Sequence, residues 1–177
     1  ETAMGPIRDF DFDCAILFSD LLFPLEALGM GLTYEPAPKL AFSLNESSIS
    51  MLKPWQDACP ALKFQGEAAR ATRSMLPSNK SLLGFVGGPW TLFVYAVEGS
   101  HKGNLIESKK GLRRLFPLFC EALMPLLAHA IRQQLEGGAE IVMIFDTAAG
   151  ELSPANFEEQ VRSEEHTSEL QSRGLIS

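Results

Sequence analysis

The sequence predicts an α/β fold built on parallel strands, and three observations carry that reading. Three short, continuous apolar runs, Cys14–Phe18, Ser81–Val86 and Ile141–Phe145, have the length of buried strands. Helix-patterned stretches separate them, so the order is strand, helix, strand, helix, strand, helix. Each run ends in polar or turn-forming residues: Ser19-Asp20, Gly87-Gly88-Pro89 and Asp146-Thr147. Continuous apolar strands alternating with helices imply a parallel sheet with both faces covered. The pattern fits a barrel and a doubly wound sheet alike. No G-x-G-x-x-G or G-x-x-x-x-G-K-S/T follows any strand, which weighs against a nucleotide-binding sheet.

Taken in order, the first strand leads into Leu21–Leu28, a short helix closed by Gly29 and irregular near Pro24. Residues 30–60 carry many Pro, Gly and Ser, with apolar patches at Leu32–Tyr34 and Leu40–Phe42. They read as an excursion holding a small hairpin, not as a separate domain. Residues 61–76 set Leu62, Ala69, Met75 and Leu76 among Lys63, Glu67, Arg70 and Arg73, an amphipathic helix that Pro77 and Asn79 end. After the second strand, Pro89 suits the first turn of a helix running to about Glu98, with Gly99 beyond its end. Residues 100–110 read as a polar loop. A long helical stretch then runs to Glu136, bent or divided at Pro117 and Pro125 and capped by Gly137-Gly138. Ser153-Pro154 starts another helix, with the serine as N-cap. The strand ends near residues 20, 86 and 146 make units long for bare strand–helix pairs, so inserted helices are expected.

Composition narrows the function. A chain of 177 residues with 46% apolar content is long enough for one domain with a real core. A net charge of −7 without a Lys/Arg cluster argues against nucleic acid and against an anionic membrane surface as partners. An anionic small molecule needs only a local group of arginines and stays open. No apolar run approaches the ~20 residues that cross a bilayer, and no signal-peptide pattern opens the chain. Cys14, Cys59 and Cys120 show no C-x-x-C spacing and no nearby histidine. Neither a disulfide framework nor a metal site is supported; they read as reduced, buried, structural thiols of a cytoplasmic protein.

The composition changes abruptly at Arg162. Arg162 to Ser172 reads, codon for codon, as the in-frame translation of a common sequencing adapter. Residues 162–177 are therefore expected to be a non-native tail, leaving 1–161 as the native unit, with whatever followed Val161 missing.

The three polar strand ends mark the rim where parallel α/β folds bind substrates. Spacing alone leaves a capping role open: Asp20 can N-cap the helix after it, and Thr147 can cap a turn. The motifs go further. Phe18-Ser19-Asp20-Leu21-Leu22 with Ala27-Leu28-Gly29-Met30, Leu83 to Leu92 with Tyr95 and Val97-Glu98-Gly99, and Gly138-Ala139-Glu140 with Ile144-Phe145-Asp146-Thr147 resemble three segments of the uroporphyrinogen decarboxylases, in the same order. The similarity covers residues 1–161.

The resemblance implies a partial (β/α)8 TIM barrel of about three strands, part of an enzyme that works without a cofactor. Its substrate is uroporphyrinogen III, whose four acetate side chains it converts to methyls, giving coproporphyrinogen III in haem biosynthesis. Asp20 stands at the family's active-site aspartate, beneath the macrocycle and facing its pyrrole N–H groups. Tyr95 matches the tyrosine near that carboxylate, Phe85 a ring-packing residue of the cleft, and Thr147 the Ser/Thr that hydrogen-bonds a substrate carboxylate. Core packing remains open for Phe85, Trp90 and Tyr95. The chain departs from the family at Gly99-Ser100-His101-Lys102, where many members carry a longer glycine run, and at Ala148-Ala149. The family's upstream M-R-Q-A-G-R-Y segment and its late histidine are absent, so these residues are not expected to decarboxylate alone. Dimers are common in the family. The competing readings are a corrinoid-linked methyltransferase on the same barrel, and a non-catalytic tetrapyrrole-binding or assembly module.

Overall fold

In the computed structural model, which describes residues 2–34 and 37–162, the three apolar runs lie side by side as one parallel sheet. Beyond Arg162, the tail read as adapter sequence lies outside the described residues. A 3-10 turn at Thr2–Met4 enters α1 (Gly5–Phe10), followed by β1 (Cys14–Ile16), α2 (Phe23–Ala27) and the strands β2 (Leu32–Thr33) and β3 (Lys39–Leu40). Then come α3 (Trp55–Ala58), α4 (Lys63–Met75), β4 (Ser81–Gly87), α5 (Pro89–Glu98), α6 (Ile106–Gly111) and α7 (Leu115–Glu136). The chain continues through β5 (Ile141–Phe145), a 3-10 turn at Thr147–Glu151, α8 (Pro154–Asn156) and a π-helical turn at Phe157–Val161.

The sheet order is β1-β4-β5, all parallel, with Ala15 opposite Leu82, Leu83 opposite Ile141 and Phe85 opposite Met143. β2 and β3 form the small antiparallel hairpin expected within residues 30–60. β1 is shorter than the Cys14–Phe18 run: after Ile16 it adds one bond, Leu17 N–H to Leu83 O, and then turns away. A single layer of helices covers the sheet. Its densest part is an aromatic cluster in which Trp90 and Phe93 of α5 meet Phe116 and Phe119 of α7, with ring centroids 5.2–5.6 Å apart. α4 and α7 approach closely through glycines. A Cβ on Gly66 would stand 2.8 Å from Gln133 O, and one on Gly137 would stand 2.6 Å from Gly66 O.

Five expectations need correction. The sheet is not covered on both faces: Ile16, Ile141, Met143 and Phe145 are each 42–51% exposed and share one face. α6 occupies the end of the stretch read as a polar loop, with Ser108 N–H and Oγ both donating to Glu98 Oε1 (3.0 and 3.1 Å). α7 is one unbroken helix. Pro117 lies in its first turn, where no intrahelical partner is needed, and surrounding packing holds the turn at Pro125. Its 22 residues also make it long and apolar enough to cross a membrane, contrary to the reading that no such run exists; here it is a core helix packed on α3, α4, α5 and β4. Of the cysteines, Cys120 is buried, but Cys14 and Cys59 are only half-buried, with free thiols.

Candidate active site

The C-terminal ends of β1, β4 and β5 form a rim, and the functional candidates gather there. Asp20 follows β1, and its Oδ1 accepts the Leu22 N–H at 2.7 Å, which steers the chain into α2. The bond closes a turn and is not the expected helix cap, since the N-cap of α2 is Leu22, with no side-chain cap bond. It does not use up the carboxylate, because Asp20 also lines a cleft of about 400 Å³ with Phe18, Leu21, Leu22, Pro38 and Tyr95. The cleft offers a fixed negative charge, a phenol and apolar walls, a set that suits a flat ring bringing N–H groups or positive charge.

The two tyrosines of the chain flank Asp20. Burial pushes the Tyr95 phenol above its ordinary pKa, and the Asp20 charge pushes it further. Tyr34, on the hairpin, is raised first by burial, then by the charge of Asp20 and a hydrogen bond to it, and then by Glu26. Both phenols thus keep their protons at neutral pH, and Tyr34 is the one hydrogen-bonded to the carboxylate. The Tyr95 hydroxyl also meets His101 Nδ1 at 2.6 Å.

Phe85 reaches this cleft through Phe18, with ring centroids 6.2 Å apart, and on its other side meets Phe145 at 5.7 Å. Its backbone is held in an unusual way. Where β1 turns away, the N–H and C=O of Phe85 on that side of β4 would lack a strand partner. The side-chain amide of Gln134 from α7 takes both: Phe85 N–H donates to Oε1 at 2.9 Å, and Nε2 donates to Phe85 O at 2.9 Å. Gly84 makes room, since a Cβ there would collide with Oε1.

Asp146, at the end of β5, ties two rim segments together. Its carboxylate accepts the N–H groups of Trp90 (3.1 Å) and Thr91 (2.7 Å) and the Thr91 hydroxyl (2.5 Å), so it caps α5 from a different strand. Thr91 Oγ1 in turn accepts the Ala148 N–H at 2.9 Å. Any side chain at Gly88 would strike Asp146. Thr147 opens the exposed 3-10 turn after β5 and is not among the residues lining the Asp20 cleft. The structure thus brings Asp20 and Tyr95 together, links Phe85 to them through Phe18, and leaves Thr147 farther along the rim. Tyr34, His101 and Gln134 carried no motif signal; Gly84, a glycine inside a strand, was the one hint of a close approach. Among the described residues no cluster of His, Cys, Asp or Glu could hold a metal ion.

Parallel strands, a helical outer layer and a cleft at the strand C-terminal ends define a segment of a (β/α)8 barrel. A solved structure described as a methyltransferase from Methanosarcina mazei shares the fold. It superposes with a TM-score of 0.72 over 94% of this chain and 50% of that one, at 18% identity. The chain belongs to the uroporphyrinogen decarboxylase (URO-D) family, whose model it matches over residues 1–167, past Val161. It is 38% identical over 163 residues to a uroporphyrinogen decarboxylase of Idiomarina loihiensis, covering 89% of this chain and 45% of the relative. It is 37% identical over 166 residues to one of Ruthia magnifica, covering 90% and 47%. The chain therefore spans less than half the length of the curated relatives it matches.

Proposed function

We propose that this chain supplies the Asp20 part of the active site of a uroporphyrinogen decarboxylase, acting on the four acetates of uroporphyrinogen III to give coproporphyrinogen III. The observation that carries the reading is that Asp20 and Tyr95, the family-matched pair, line one rim cleft. Chemistry explains why a carboxylate is wanted there. Protonation of a pyrrole carbon makes the ring a cationic electron sink. The acetate C–C bond then breaks, carbon dioxide leaves, and its electron pair flows into the ring; a second proton completes the methyl group, and the ring carbon releases the first, which restores the pyrrole. No cofactor is called for, because the substrate ring takes the electrons.

Asp20 meets positive charge that exists in the transition state and not in the neutral ground state, so it lowers the barrier selectively. A unit charge pair at ~4 Å, with an effective dielectric of about 20, is worth ~4 kcal/mol. That corresponds to roughly a thousandfold in rate. Phe85 and Phe18 would pack the ring, Tyr95 would hold its edge, and Thr147 would bind a substrate carboxylate. The substrate's other carboxylates call for arginines from the parts of the barrel this chain does not span. Residues 1–161 are the native unit in this reading, and the free thiols of Cys14 and Cys59 agree with a cytoplasmic setting.

A chimera in which residues 1–161 replace the matching half of the Idiomarina loihiensis relative tests the assignment. Asp20→Asn should cut turnover roughly a thousandfold, with the chimera's melting temperature little changed. Near-normal turnover would overturn the role given to Asp20.

A further inference from the structure

His101 lies in the exposed segment between α5 and α6, where the chain departs from the family's glycine run, yet it makes a specific contact. Its Nδ1 stands 2.6 Å from the Tyr95 hydroxyl, and the two rings pack with centroids 5.5 Å apart. Tyr95 in turn lines the cleft with Asp20. We infer that His101 is the positioning residue for Tyr95: it holds the phenol at the Asp20 cleft and, through its own protonation, sets whether that phenol presents a lone pair or a proton there.

The donor inventory of the two groups dictates the switch. A neutral imidazole that accepts at Nδ1 carries its proton on Nε2. It takes the Tyr95 O–H, leaving the phenol's lone pairs toward the cleft. An imidazolium donates from Nδ1, so the phenol oxygen becomes the acceptor and its own O–H turns into the cleft, where Asp20 is the charged acceptor. The phenol keeps its proton in both states, because burial and the Asp20 charge both oppose its ionisation. Among the described residues, Asp20 in the β1–α2 loop is the charge that acts on Tyr95, Tyr34 and Glu26 stand beyond Asp20, and Glu98 and Lys102 are the charged groups nearest along the chain. Glu98 is engaged by Ser108.

The inference rests on the Asp20 cleft being the site proposed above, but its test needs no turnover. Tyr34→Phe leaves Tyr95 as the sole tyrosine, and its ring is labelled with carbon-13 in the full chain. The Tyr95 signal should shift between about pH 5 and 8, with the midpoint of His101's own ring signals. The shift should vanish in His101→Phe, which keeps a ring but no nitrogen. In His101→Gln, which keeps an acceptor but does not titrate, Tyr95 should stay at its high-pH position. His129→Gln should leave the shift intact. A Tyr95 signal that is flat over this range, or a transition that survives His101→Phe, overturns the inference. A chain that shows the coupled shift but binds no uroporphyrinogen when completed as the chimera would sink the functional reading and leave this assignment standing.

Discussion

At the scale of single residues, the rim is held by side chains that stand in for missing backbone partners. Gln134 is the clearest case. It is 2% exposed, and its amide satisfies both polar groups of Phe85 where β1 has left the sheet. Gln134→Leu keeps an apolar stem but leaves a buried N–H and a buried C=O without partners. Each orphaned group costs about 1–3 kcal/mol, so the variant should lose roughly 2–6 kcal/mol in chemical denaturation. Gly84→Ala should act through the same bond, since its methyl occupies the place of Oε1. The double variant should then be little worse than the worse single one; full additivity would show that the two residues act separately. The sequence reveals part of this layer. Asp20, Phe85 and Tyr95 stand out because they lie in motifs at strand ends. Gln134 and His101 do not: Gln134 acts on Phe85 across 49 residues, and His101 reaches Tyr95 only through the way the segment after α5 folds back, which no motif marks.

At the scale of elements, α7 shows how packing overrides local signals. Two prolines predict a break, yet the helix runs through both, because one lies in the first turn and the core faces of α4 and α5 hold the rest. The hairpin, β4, β5, α4 and α5 were legible, since each follows from apolar period and turn chemistry. α6 was not, since its six residues bury only Ser108 and its one large apolar side chain, Ile106, stays exposed, so no apolar period marks it. The same helix α7 carries a pH-sensitive position. Burial lowers the His129 pKa from 6.5, and the charge of Arg132 lowers it further, with Glu136 opposing. The unfolded chain therefore binds a proton more readily at this site than the folded one. Stability from His129 is complete above the unfolded pKa, near 6.5, and is lost as the pH falls toward the lower folded value. The melting temperature of the wild type should therefore fall more steeply than that of His129→Gln as the pH drops from about 7 to 5. Parallel profiles for the two proteins would exclude a contribution from His129.

At the scale of the whole molecule, the three-stranded sheet is finished on one side and open on the other. Helices bury Ala15, Leu82, Val86 and their neighbours, while Ile16, Phe18, Ile141, Met143 and Phe145 remain 42–84% exposed. β1 and β5 each pair along one edge only, so their outer backbone groups have no strand beside them in the sheet. An apolar face between two unpaired edges is the arrangement that closed barrels abolish, and that open sheets protect with charge or cover. Here the alternation along β5 places Ile141, Met143 and Phe145 outward because, in a barrel, that direction is the packed interior. The expectation of a sheet buried on both faces came from strands that carry apolar side chains on both, whereas the helices here cover one face only. The physical consequence is association: at micromolar concentration the chain should form soluble oligomers or larger assemblies visible by light scattering. Introducing charge on the open face, with Ile16→Lys and Met143→Lys together, should reduce scattering and leave the helical circular dichroism unchanged, because neither side chain packs into the helix layer. Leu118→Lys, at a site 47% exposed on α7, should leave scattering as it was. Equal scattering from all three proteins would mean that the open barrel face does not drive association.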